Sequence, residues 1–160
     1  MFERELMLYE FNLGLLEWMA ADIPESKMGE RAGGVGHTPA WILGHLAIAT
    51  DYAGMQFGLA KACPDAWHAA FAPGKPDDGA TIPQKAQLLG AIRAGHARVA
   101  AACRTADPAM LNRPHDISYF SKTPVVTVAD AVAALMVSHE AMHTGQLSAW
   151  RRQAGLPALF

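Results

Sequence analysis

Residues 127–157 read TVADAVAALMVSHEAMHTGQLSAWRRQAGLP. Val128, Val132, Leu135, His139, Met142, His143, Gln146 and Trp150 recur there at steps of three and four, the spacing that places side chains on one face of an α-helix. Thr127, with Asp130 three residues on, has the form of a helix start, where a carboxylate meets the positive end of the dipole. Gly155 followed by Pro157 is a stop signal. One long helix with two histidines on its inner face is therefore predicted, and the rest of the chain must supply what that face packs against.

Three further helices meet the need. Phe2, Leu6, Tyr9, Leu13, Leu16 and Ala20 predict a helix over 2–20, which ends before Pro24 and the glycines at 29, 33, 34 and 36. Thr38 as N-cap and Pro39 at the first helical position open a second, with the stripe Trp41, His45, Ile48, Tyr52, Met55 and Leu59. The turn-rich connection CPDAWHAAFAPGKPDDGA follows, with room for one short helix around Trp67 and Phe71. The third long helix starts at Thr81-Ile82-Pro83-Gln84, a capping-box form, and runs to about 105 with Leu89, Ile92, His96, Val99 and Cys103 facing inward. A loop of about twenty residues containing Pro108, Pro114 and Pro124 comes next, longer than compact domains usually carry without a reason, and is a lid candidate. Four helices without strand-like alternation or an internal repeat predict one all-α domain over 1–160, a four-helix bundle.

Composition agrees with a globular chain, since 51% of residues are hydrophobic and 18% charged. Thirteen Lys and Arg against fifteen Asp and Glu give a net charge of −2, and no basic cluster is present to neutralise phosphates, which excludes nucleic acid as a partner. Cys63 and Cys103 form no CxxC pair and read as two reduced core thiols. The start MFERELMLYE lacks the basic and apolar regions of a signal peptide, so a cytoplasmic location is expected. The apolar run Trp41–Ala60 is interrupted by His45, Asp51, Gln56 and three glycines, which makes it a buried helix and no membrane span.

Histidines 139 and 143 lie four residues apart, so on a helix they stand about 40° apart around the axis and about 6 Å along it, within reach of one ion. Both point toward the bundle interior, where a shared metal satisfies two rings at once and each remaining N–H finds an acceptor. A third inward histidine completes a site; His45 and His96 both qualify, and periodicity does not choose between them. His37, His68 and His115 read as ordinary hydrogen-bonded histidines. Residues 139–143, HEAMH, match the HExxH pattern of zinc proteases, but no His, Asp or Glu follows His143 to serve as the usual downstream ligand. Glu140 is still placed to flank the site as a general base, with an interhelical glutamate as the equal alternative. Gln146, three residues beyond His143, is placed to support that ring or to line the pocket.

WILGHLAIATDY and, much later, HEAMHTGQLSAWRRQAGLP resemble the DinB-like family of bacterial metal-binding four-helix bundles. The resemblance spans most of the chain. It implies an up-down-down-up bundle with long connections, often a homodimer, and one divalent metal ion held by His45, His139 and His143. His96 then becomes a residue supporting the site or lining the pocket. Zinc or nickel is the expected ion, with iron an alternative, since three imidazoles suit several first-row metals. Relatives include thiol-dependent S-transferases that use low-molecular-weight thiols, and metal-dependent hydrolases. Three neutral imidazoles leave open positions where a water or a thiolate is activated for hydrolysis or S-transfer on a small-molecule substrate. A non-catalytic metal-binding or stress-response module is the alternative, and it calls for a fourth protein ligand. Because the ligands must be neutral, the ion is expected to leave as pH falls well below the free-histidine value of about 6.5.

Overall fold

The computed structural model describes residues 2–34, 36–77, 79 and 82–159. Its helices are α1 (Glu3–Ala21), α2 (Pro39–Gln56), α3 (Asp65–Phe71), α4 (Lys85–Thr105), α5 (Pro108–Leu111), α6 (Val128–Ala133) and α7 (Glu140–Gln153), and a π-helical segment, Ala134–His139, joins α6 to α7. No strand occurs among the described residues.

Two apolar clusters give the direction of each helix. One gathers Leu16 and Met19 from the end of α1, Trp41 and Ile42 from the start of α2, Leu88 and Ile92 from the start of α4, and Leu147 and Trp150 from the end of α7. The other gathers Phe2 and Tyr9 before and within early α1, Ala53 from late α2, Val99 and Cys103 from late α4, and Val128 and Val132 from α6. The order is therefore up-down-down-up. The parallel pair α2 and α4 needs a long return, which residues 57–84 provide through α3.

The local signals act as expected at several ends. The Thr38 hydroxyl accepts from the Trp41 amide at 3.1 Å, with Pro39 at the first position. Thr127 and Asp130 form a reciprocal capping box. After α7, Gly155 takes φ 73°, and the amides of Gly155 and Leu156 return to the carbonyls of Arg152 and Arg151, a Schellman stop. The capping box of α4 is formed by Gln84 and Gln87, so that helix starts at Lys85; Thr81, expected to open it, lies outside the described residues, as does the terminal Phe160.

Three departures concern helix faces. Helix α2 is buried on almost every side, so its stripe understates its burial; Gly95 of α4 lets the two helices close up, because a Cβ there would collide with the Thr50 side chain. Helix α1 buries Asn12 along with Tyr9, Leu16 and Ala20 of its stripe, keeps Leu6 and Leu13 half-buried, and leaves Met7, Phe11 and Trp18 exposed. On α7, Met142 and Gln146 are exposed although the uninterrupted stripe placed them inside. The π segment causes this last difference: its wider turn shifts the register between α6 and α7, and the face that is inward over 128–135 does not continue unbroken.

The expected lid is more structured than a loop. It holds α5 and a 3-10 turn, Ser118–Phe120, and an antiparallel bridge between Pro114 and Thr127 ties its two ends together. Among the described residues, no helix is long and apolar enough to cross a membrane.

Candidate metal centre

Helix α2 presents His45, the last residue of the π segment is His139, and α7 presents His143 one turn later. One ligand nitrogen from each lies within 4.8 Å of the others. Ring centroids are 5.0 Å apart for His45 and His139, 4.5 Å for His45 and His143, and 4.6 Å for His139 and His143. His45 and His143 are buried and His139 is half-buried.

Hydrogen bonds orient two of the rings. Nδ1 of His45 donates to the Phe71 carbonyl at 2.7 Å, and since a carbonyl only accepts, Nε2 of His45 carries a lone pair. Nδ1 of His143 donates to Oε1 of Gln146 at 2.8 Å, which frees its Nε2 in the same way. Trp41 stacks on His45 with centroids 4.8 Å apart and planes 6° from parallel, fixing the ring from the side.

These features fit a bound cation. Nε2 of His45 lies 3.0 Å from Nε2 of His139, and two lone pairs at that distance repel unless a proton or a cation lies between them. Nδ1 of His139 is buried with no hydrogen-bond partner among the described residues, so no protein acceptor dictates its tautomer. Burial, helped by the neighbouring imidazoles, pushes His139 down to about 3 and His143 down to about 4. Burial lowers His45 too, against its bond to Phe71. All three are neutral at pH 7, the state a metal requires.

The triad opens onto a chamber of about 460 Å³. Its wall includes Trp41 and Tyr52 of α2, Leu135 of the π segment, Met142 of α7, and Asp116 to Phe120 of the connection expected to act as a lid. His115, in the same connection, is turned away: Nε2 donates to the Val125 carbonyl at 3.0 Å and Nδ1 accepts from the Ile117 amide at 3.1 Å.

Glu140 and His96 are placed together, apart from the chamber wall. Nε2 of His96 lies 2.9 Å from Oε1 of Glu140, and the imidazole stacks on Tyr9 at 3.5 Å. Both residues are buried, and burial raises the Glu140 carboxyl against the lowering influence of His96. The reason is angular: one residue past His139 is about 100° around the helix, enough to turn this side chain toward α1 and α4. The flanking position that spacing allows is not the one Glu140 takes. His37 stacks on Trp41, and His68 lies 2.9 Å from Oδ2 of Asp51, so neither joins the triad.

The two arginines near the end of α7 are engaged within the fold. Arg151 is buried, donates to the Met19 carbonyl at 2.7 Å and pairs with Asp22, which closes the end of α1, and Arg152 bonds Ser148. Two supports of the site escape a reading of side-chain types, namely the Phe71 carbonyl and Asn12, whose Nδ2 donates at 3.2 Å to each of the Met136 and Val137 carbonyls of the π segment. Trp41 was within reach, since it stands one turn before His45 on the same helix.

Among solved structures, the chain is similar to YfiT from Bacillus subtilis, described as a probable metal-dependent hydrolase with an unusual four-helix bundle topology. The identity is 17%, the TM-score 0.69, and the match covers 97% of this chain and 88% of that one, a likeness of fold. No curated protein matches the sequence. The family model of the DinB superfamily matches residues 8–147, a span that runs from α1 through all three histidines, and the chain belongs to that superfamily.

Proposed function

We propose that this protein is a metal-dependent hydrolase of a small molecule, with the ion held by His45, His139 and His143. The observation that carries the reading is the convergence of three neutral imidazoles on the wall of a chamber large enough for a substrate. With three protein ligands a divalent ion keeps positions open and supplies Lewis acidity. The Phe71 carbonyl and Gln146 orient His45 and His143 for that ion, and Trp41 limits the travel of the His45 ring. Leu135, Met142 and Ile117 exclude water from the apolar part of the chamber. Glu140 acts at one remove, fastening α7 to α4 through His96.

A hydrolase is favoured over a thiol transferase because the described chamber wall carries no Lys or Arg to receive the carboxylates of a thiol cofactor. It is favoured over a structural site because His96, the other inward histidine and so a candidate for a fourth ligand, is engaged by Glu140, and the described ligand group has three members. The likeness to YfiT, itself described as a probable metal-dependent hydrolase, points the same way.

Elemental analysis of tag-free protein tests the site. About one equivalent of divalent metal is expected in the native protein and less than about a tenth in His139→Ala, as loss of one of three ligands implies. The metal-loaded protein is then screened against esters and amides, with a low-molecular-weight thiol plus an electrophile as the rival arm. Metal-dependent cleavage supports the hydrolase, whereas thiol consumption without cleavage, or a native protein that takes up no metal, overturns it.

A further inference from the structure

The chamber is unequal along its length. His45, Ala49, Tyr52 and Gln56 succeed one another on the α2 face that lines it, and at the helical rise this sets the first and last about 16 Å apart. Near Gln56 the wall comes from the 114–127 connection. Nε2 of Gln56 donates to Oδ1 of Asp116 at 2.7 Å, and Tyr119 and Phe120 hold their rings 5.3 Å apart, tilted by 68°. Asp116 and Tyr119 are exposed there, whereas His45 and His143 at the other end are buried. Asp116 is the single acidic residue of the described wall, and no Lys or Arg on that wall offsets it.

An anionic group arriving at this end meets uncompensated negative charge, and a purely apolar one gains nothing from it. A cation meets a carboxylate together with aromatic side chains, the combination that binds ammonium groups. Gln56 holds Asp116 in place by one oxygen and leaves the other for a ligand.

From this polarity we infer that the substrate is an elongated molecule with a largely apolar body, its reacting group against the three histidines and an amine, protonated at neutral pH, received at the far end by Asp116. The inference rests on the hydrolase reading of the same chamber, but binding alone reads out the amine end.

The test uses protein incubated with zinc and two probes of equal length, 4-phenylbutylamine and 4-phenylbutan-1-ol, titrated at pH 7 by calorimetry or by chemical-shift changes. The amine is expected to bind about fivefold more tightly than the alcohol, the upper scale of one exposed ion pair with Asp116. The preference should fall to about unity in Asp116→Asn, which keeps an oxygen for Gln56, and should shrink at high salt as an exposed charge contact does. An unchanged thermal transition for Asp116→Asn shows that the variant is folded. Equal affinities in the native protein, failure of both probes to bind, or a preference that survives Asp116→Asn overturns the inference. The two readings fail separately: zinc held with no amine preference removes this one alone, and an amine preference in protein that holds no zinc removes the hydrolase alone. His139→Ala, without the ion, should keep the preference.

Discussion

An imidazole enclosed by apolar side chains resists taking a proton because the charged form loses its hydration. His139 in the folded protein is held down to about 3 and His143 to about 4, against 6.5 for the unburied ring. Between those values the unfolded chain binds more protons than the folded one, so stability rises with pH across that window. Metal-free protein should therefore show a urea midpoint that climbs from about pH 4 to about pH 6.5 and then levels off. The same burial moves metal release to lower pH than free histidine suggests, since protons compete for these nitrogens only near their folded values. After dialysis the ion should remain at about pH 5.5 and be gone by about pH 3.5, as elemental analysis of the retained protein will read; half-release at about pH 6 would mean that the rings titrate as exposed ones. At this scale the sequence was informative wherever a side chain acts on its own helix. Gln146 sits three residues from His143 on the same helix, and its amide oxygen meets Nδ1 of that ring. Periodicity did not separate His45 from His96, because both lie on inward faces, and what differs is the partner across the bundle: Glu140 and Tyr9 for His96, the other two histidines for His45.

Between Ala134 and His139 the backbone leaves α-helical geometry, and this short segment delivers a ligand at its last residue. A π turn loosens the carbonyl ladder, so its oxygens need other donors. Asn12, buried in α1, donates through Nδ2 to the carbonyls of both Met136 and Val137. Asn12→Leu should cost about 1–3 kcal/mol in urea unfolding, the penalty for buried carbonyls left without a partner. Metal affinity should fall as well, because His139 loses the backbone that aims it; an affinity unchanged alongside a lowered stability would show that the π turn holds without Asn12. Nothing in ALMVSH marks such a turn, as the segment has no glycine or proline and keeps helical spacing. The side chain that meets its carbonyls stands 124 positions earlier, and contacts of that range leave no local pattern. The ends of helices were legible by contrast, since Thr38, Thr127 and Gly155 act within a few residues of themselves.

Across the whole molecule the two apolar clusters occupy opposite ends of the bundle, and Tyr52 packs against both. Four helices were readable from spacing alone, but their directions came from the family resemblance and from the clusters, because periodicity gives a face and never a partner. The two thiols report on whether those ends behave as one unit. Cys63 belongs to the cluster around Trp41 and Leu147, Cys103 to that around Val99 and Val132. Burial, with Asp51 adding to it for Cys63, pushes both thiols up to about 12, so thiolate is scarce at neutral pH and each reacts only after its surroundings open. If the chain is one cooperative domain, Cys63→Ala and Cys103→Ala, each leaving a single thiol, should be inert to Ellman's reagent when native and become reactive at the same urea concentration once midpoints are corrected for each variant's own stability. That concentration should coincide with the loss of helical circular dichroism. Earlier exposure of Cys103 than of Cys63 would divide the bundle into two units of unequal stability. The histidine site would then depend on an interface between them, since His45 and His143 lie on helices that enter the first cluster while His139 ends the segment that feeds the second.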